Sequence, residues 1–472
     1  MPRNTPDSPL SPLLLPLLLA CQGTGSENAT LFLGLHGSYE LPLDASAWIY
    51  TAQDLDAPTC GAMPADWSGD GQPDMALGWK GEHAVGLVGV EGPFAQETTG
   101  DGATGPSVDL PVTAPSSPYC TSAGDVDGDG YDDLLVGAPV SEPTGLAYQG
   151  TVALFRGPLT DRTAEDPDTV INGDAILQYL GRVMDGGQDV DGDHLDDILL
   201  VPDNTEAYGF VFTGGPANMT ELAAAEVQIL GPDGRHGSAE AMVDDVDGDG
   251  LAEVVGRDGR GDGTDDPFAW LARGPLEGTV ALEDQTWWTM DNVSSLGAGV
   301  DFRGGGDLDG DGLGDLILAA PGTGDSRGSL YALRGPAAGG DLSTASFQLE
   351  GAHDYDQLGL GAVALGDLDG DGKGELAVSD YDGNRWVDVV RVYPGGLEGV
   401  VGTDAAVARI DVAGEATRID PESLNGGDLN GDGWPDLAIL GSAPVHTADG
   451  SRQHRGAVFV LFSGAVGEVP AR

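Results

Sequence analysis

The sequence predicts an all-β fold: a seven-bladed β-propeller of four-stranded blades, its ring closed by an N-terminal strand that completes the last blade. Three observations point there. An acidic glycine loop returns seven times, its first aspartate at Asp66, Asp125, Asp189, Asp245, Asp307, Asp367 and Asp428. The copies lie about sixty residues apart, and a fixed period marks a stacked supersecondary unit. Each copy holds four short strand-like stretches bounded by glycine and proline, with no helical periodicity. Four strands per unit and seven units suit radial packing around an axis.

The chain opens with MPRNTPDSPLSPLLLPLLLA, one arginine and then a leucine run. The run is too short to span a bilayer and is broken by Pro12 and Pro16, so residues 1–20 read as a signal peptide. It ends Leu18-Leu19-Ala20-Cys21. That is similar to a bacterial lipobox, which implies cleavage before Cys21 and a lipid on its sulfur. The alternative is an ordinary signal peptide with an incidental cysteine. Residues 21–45 then form a lipidated cysteine and tether, with one extra strand placed around 31–35. Residues 46–472 form the propeller. The expected location is outside the cytoplasm, on a bacterial outer membrane or cell surface, reached through the lipid anchor alone.

Of three cysteines, Cys60 and Cys120 remain once Cys21 is lipidated. They precede the first aspartates of adjacent loops by nearly equal spacings. In an oxidising compartment they pair; otherwise they are two buried thiols.

The unit is clearest around Asp307. A lead-in strand covers 296–305, the loop follows, and DLILAAP, GSLYALRG and ASFQLEG supply three more strands at 315–321, 328–335 and 345–351. After GAVFVLFSG at 456–464 only AVGEVPAR remains, so the last unit lacks a fourth strand. SAWIYTAQ at 46–53 is the strand expected to fill that place.

Within GDVDGDGYDD, the residues Asp125, Asp127, Asp129 and Asp133 stand at positions 1, 3, 5 and 9. Alternate carboxylates on a tight turn converge on one point, and glycines at positions 4 and 6 accept backbone angles other residues resist. Hard oxygen ligands in that number suit calcium, which takes six to eight oxygens at about 2.3–2.6 Å. The carbonyl of Tyr131 is expected to supply another. The equivalent sets are Asp189, Asp191, Asp193, Asp197; Asp245, Asp247, Asp249, Glu253; Asp307, Asp309, Asp311, Asp315; Asp367, Asp369, Asp371, Glu375; and Asp428, Asn430, Asp432, Asp436. The first copy is weaker, with Asp66, Ser68, Asp70 and Asp74. In the third, His194 replaces a glycine and is expected to strain the turn. Up to seven calcium ions are therefore expected.

Glycine is 77 of 472 residues, aromatics are 6% and net charge is −58. Seven calcium ions would still leave −44. That charge excludes nucleic acid as a partner and simple adsorption to anionic lipid.

Lead-ins such as LGAGVDFRGGGD, loops such as DVDGDGYDD and the Gly137-Ala138-Pro139 strand end resemble the FG-GAP repeat, over roughly residues 46–464. That family includes the N-terminal propeller of integrin α subunits and many bacterial surface proteins. The resemblance implies seven blades, calcium in the loops between the first and second strands, and a binding or adhesive role without chemistry. Integrins carry such loops in only some blades, whereas this chain has one in each unit. A monomer is expected.

The loops between second and third strands lie on the face opposite the acidic loops. They span 57 residues and hold 7 of the 20 basic side chains. Arg327, Tyr381, Arg385, Trp386, Arg452 and Arg455 mark this as the expected ligand face, for a surface protein or a glycan. The alternative is that the arginines only neutralise nearby aspartates. The leading expectation is a calcium-stabilised binding module. A calcium-dependent lectin is the alternative, and a polysaccharide lyase ranks last.

Overall fold

The computed structural model describes residues 37–41, 47–50, 60–68, 74–80, 85–90, 98–99, 107–109, 119–159, 167–215, 219–231, 237–258, 268–282, 286–290, 301–335, 342–382, 387–412, 418–429, 432–446, 452–461 and 463. They form an all-β propeller.

A representative blade contains the strands Tyr119–Gly124, Asp133–Gly137, Thr151–Phe155 and Thr169–Asn172, all antiparallel neighbours. Six blades are each drawn from one continuous stretch of chain. The remaining sheet is a composite. It takes Arg418–Gly427, Asp436–His446 and Arg452–Leu461 from the C-terminal end and Ala47–Tyr50 from the N-terminal end. Ala47–Tyr50 pairs antiparallel with Arg452–Leu461, where the sequence placed its closing strand.

The first strands stand side by side around the axis. In order they are Cys60–Ala65, Tyr119–Gly124, Val183–Gln188, Gly237–Val243, Asp301–Gly306, Ala362–Gly366 and Arg418–Gly427, and the last lies against the first. Cys120 is disulfide-bonded, and its strand neighbours the strand that begins at Cys60.

The expectation of seven equal four-stranded blades needs amending, since four sheets carry a fifth, outermost strand. Every one of these pairs in parallel. Gly278–Ala281, between the third and fourth strands of one blade, joins the outer edge of the preceding blade. Gly399–Gly402 and Thr98–Thr99 do the same elsewhere. Capping an outer strand removes a row of unpaired backbone groups. The strand Gly37–Leu41 plays this part for the sheet of Ala408–Val412. It lies inside the stretch expected to be a tether, while residues 31–35, Cys21 and the signal segment lie outside the described residues.

The core is a ring of inter-blade layers. One cluster joins Leu135 and Val152 to Ile198 and Phe210 of the next blade; the next joins Leu199 and Val211 to Val254 and Trp270. Adjacent residues of one strand thus serve opposite neighbours. Asp133–Gly137, Asp197–Val201 and Asp315–Ala320 are consequently buried at every position. Strands covered on both faces read as continuous apolar runs, which is why LLV, ILLV and LILAA do not alternate. Among the described residues no helix is long and apolar enough to cross a membrane.

Candidate metal centres and the opposite face

Five of the first strands end in an irregular register just before the loop, as between Ser122 and Gly124 or Gly304 and Gly306. A bulge there bends the strand and aims the following turn. Gly124 has φ 72°, and a Cβ on it would meet the Asp196 carboxylate of the next blade.

The loop then wraps around its first aspartate. Asp125 accepts the N–H groups of Gly128, Asp129 and Gly130 at 2.7, 3.0 and 2.9 Å. Asp307 and Asp367 accept the equivalent three. Positive φ at Gly128 and Gly130 turns those amides inward. His194 holds φ 71° and still donates its N–H to Asp189 at 2.9 Å, so the strained turn expected there forms without glycine.

This wrapping brings carboxylate oxygens within 4.8 Å of one another in five loops. The clusters are Asp125, Asp127, Asp129; Asp189, Asp191, Asp197; Asp245, Asp247, Asp249, Glu253; Asp307, Asp309, Asp311; and Asp367, Asp369, Asp371. Such clusters suit a hard cation with oxygen ligands. The donor set passes a further test. Asp127 Oδ1 and Glu253 Oε1 are buried without a hydrogen-bond partner, and Glu253 is fully buried. A bound cation would satisfy both. In the first loop Ser68 donates to Asp74 at 2.8 Å, and Asp70 lies outside the described residues. In the last, Asp428 accepts the N–H groups of Asp432 and Gly433, and Asn430 lies outside the described residues.

The ninth position has a second task that the spacing did not reveal. Asp133 Oδ2 accepts the N–H of Val126 at 3.2 Å, and Oδ1 accepts the N–H of Gly157 at 2.8 Å. Asp197, Asp315, Glu375 and Asp436 clasp the same pair of sites in their own blades. These carboxylates staple the loop to the end of the third strand. Of the ninth-position acids, only Asp197 and Glu253 join the cation clusters among the described residues. Burial is the main reason their pKa values rise: Asp133, Asp197, Glu375 and Asp436 to about 7, Asp315 to about 6 and Glu253 to about 8.

The loops are also tied to one another. Asp132 Oδ2 accepts the N–H of Asp66 at 2.7 Å, and Asp196 Oδ2 accepts that of Asp125 at 2.8 Å. Ala252, Gly314 and Gly374 donate their amides to the carbonyls of Asp189, Asp245 and Asp307 in the blade before.

Arginines at the ends of third strands divide the loops in two. Arg273 approaches Asp247 at 3.2 Å, Arg334 approaches Asp309 at 3.1 Å and Arg156 approaches Asp127 at 3.6 Å. Thr213 and Pro394 hold this place beside the third and sixth loops. A fixed positive charge beside a ligand oxygen competes with a bound cation, by about 1 to 4 kcal/mol for unit charges at 4 Å between fully aqueous and near-surface screening. R273Q and R334Q are expected to tighten divalent-cation binding at their own loops by about threefold to tenfold. Calorimetric titration of wild type and the double variant checks this; unchanged isotherms would contradict it.

The opposite face carries a cavity of about 330 Å³ where the first strands of successive blades begin. Three ion pairs line it: Arg182–Asp203 at 2.7 Å, Arg257–Glu240 at 2.5 Å and Arg303–Asp301 at 2.7 Å. Burial raises the pKa of Glu240 to about 7, against the opposing pull of Arg257. Beside the cavity, Arg182 lies 5.7 Å from the centre of the Tyr179 ring, which stacks on Tyr148 at 5.5 Å.

None of the described residues named for the expected ligand face lines this cavity. Arg327 is half exposed and pairs with Asp354 at 2.7 Å. Tyr381 is part-buried in the strand Glu375–Asp382, and Arg385 and Trp386 lie outside the described residues. Arg452 and Arg455 do not sit in a loop as expected, because Arg452–Leu461 is a strand from its first residue. Arg182, Glu240, Asp301 and Arg303 fall outside the sequence expectation because they lie at or in the first halves of first strands, not in second-to-third loops. Charged residues at alternate positions of the lead-ins were the available signal.

The repeats match known proteins. Residues 121–155 match the FG-GAP repeat, and residues 307–378 match an FG-GAP-like repeat. The chain is 29% identical over 246 residues to integrin alpha-PS2 of Drosophila melanogaster, covering 48% of this chain and 17% of that protein. It is 37% identical over 83 residues to integrin alpha-X of Homo sapiens, covering 17% of this chain and 7% of that one. The chain therefore spans less than a fifth of the length of these relatives. Among solved structures, an exotype rhamnogalacturonan lyase, YesX, aligns with TM-score 0.40 and 13% identity over 86% of this chain and 71% of that one. The Dos1 propeller aligns with TM-score 0.37 and 11% identity over 84% of this chain and 75% of that one. The repeat and integrin matches support an integrin-like β-propeller, a fold that fits a binding or adhesion module.

Proposed function

We propose that this chain is a non-catalytic, calcium-stabilised binding module that acts outside the cytoplasm of a bacterium. The observation that carries the calcium assignment is the fully buried Glu253, whose Oε1 has no partner beside Asp245, Asp247 and Asp249. Carboxylate-only donor sets on glycine turns favour calcium over softer ions. In this reading the composite sheet is the seventh blade, and Ala47–Tyr50 closes the ring on Arg452–Leu461. The ions hold one face rigid, and the other face meets a surface protein or a glycan. Calorimetry with calcium and with chelator tests the reading; identical melts in the two would refute it.

The same proposal places Cys60 opposite Cys120 and a lipid on Cys21. A non-reducing peptide map is expected to show one crosslinked peptide pair containing Cys60 and Cys120. In a bacterial host, C21S is expected to move the protein from the membrane to the soluble fraction. A crosslink to another residue, or unchanged fractionation, would overturn the respective assignment.

A further inference from the structure

We propose that the cavity between the starts of the first strands is a binding site for a neutral, hydroxyl-rich glycan. This rests on the binding-module reading and adds to it a place and a ligand class.

Position comes first. Ser238 and Glu240 begin one first strand, Asp301 and Arg303 begin the next, and Arg182 immediately precedes Val183–Gln188. Arg257 stands near the end of the second strand Glu253–Asp258. Successive blades therefore converge on one cavity near the axis, remote from the acidic loops. Its volume of about 330 Å³ is at the small end of ligand pockets.

Charge narrows the ligand. Three guanidinium groups face three carboxylates, so the cavity is balanced within a chain of net charge −58. An anionic ligand would find its arginines already engaged and would approach against the field of the whole protein. A cation would find the carboxylates engaged. Arg182 gives Nη2 to Asp203 and Arg257 gives Nε to Glu240. A guanidinium carries five N–H donors, so each fork has donors beyond these contacts. Donors fixed beside acceptors match hydroxyl groups, which both give and accept hydrogen bonds. Val183, Val201 and Leu360 add apolar wall for the C–H faces of a sugar ring.

The rim supplies a platform. Tyr148 is 45% exposed, with Ile176 and Leu177 exposed beside it in sequence-adjacent turns of the same face. The row Tyr148, Tyr179, Arg182 leads from this patch into the cavity.

The test uses the calcium-loaded full chain on an array of neutral glycans, uronate-containing glycans and peptides, followed by calorimetric titration with the best neutral glycan. R182Q and Y148N are each expected to weaken binding by about tenfold or more, the scale of a lost charged hydrogen bond or platform. Asparagine tolerates the left-handed backbone at position 148. E240Q is expected to weaken it as well, and V400T, on the exposed outer-edge strand Gly399–Gly402, to leave it unchanged. Melting temperatures in calcium should stay at the wild-type value. No binding to neutral glycans, binding confined to uronates or peptides, or indifference to R182Q, Y148N and E240Q would each overturn the inference. A melt that ignores calcium would instead strike the reading beneath it.

Discussion

Chelated protein is expected to melt at a lower temperature than calcium-loaded protein, with a gap that widens from pH 5 to pH 8. The size follows from mass action. A ligand at one hundred times its Kd adds about 2.7 kcal/mol per site. Five clusters of convergent carboxylates then rival the whole stability of an ordinary domain, about 5–15 kcal/mol. The pH dependence follows from burial. Without a cation, the ninth-position acids titrate between about 6 and 8 in the folded chain, against about 4 unfolded. Between those values the native state binds more protons than the unfolded one. Stability of the chelated form must therefore fall as pH rises through that window. Calcium needs the ionised carboxylates, so its contribution grows over the same range. Asp185 and Asp380, raised by burial to about 6 away from the clusters, add a smaller slope that calcium does not remove. A melting series at three pH values, with and without chelator, reads both slopes. A chelated melt that rises from pH 5 to pH 8 would contradict this account.

What the sequence revealed was local, and what it hid was not. Asp125, Asp127 and Asp129 meet within five residues of chain, so their spacing alone announces the cluster. The blade period is equally local, because each unit repeats its own glycines and apolar runs. The second partner of Asp133 lies 24 residues away, at the far end of the third strand. The clasp of Asp196 on Asp125 spans 71 residues and joins two blades. No periodicity within one repeat encodes either. The cavity is hidden for the same reason, since Arg182, Glu240 and Arg303 belong to three different blades. The fifth strands were invisible because they pair in parallel with a neighbour's edge and carry little apolar pattern, as in Gly278–Ala281.

The double role of the acidic loop separates two substitutions that sequence alone would equate. D125A removes an aspartate that gathers three exposed loop amides. Those amides pass to water at little cost, so chelated protein should lose little stability while one cation site disappears. D133A removes a fully buried carboxylate that holds the amides of Val126 and Gly157. Two buried donors lose their partner at about 1–3 kcal/mol each. D133A should therefore destabilise the protein by roughly 2–6 kcal/mol even under chelation. Hydrogen exchange gives the local readout: the amides of residues 126 and 157 should lose protection in D133A and keep it in D125A. Equal losses in the two variants would mean that the ninth position acts only through the cation. Unequal losses would mean that the loop is first a backbone clasp and second a metal site, so blades whose clusters bind weakly keep their shape.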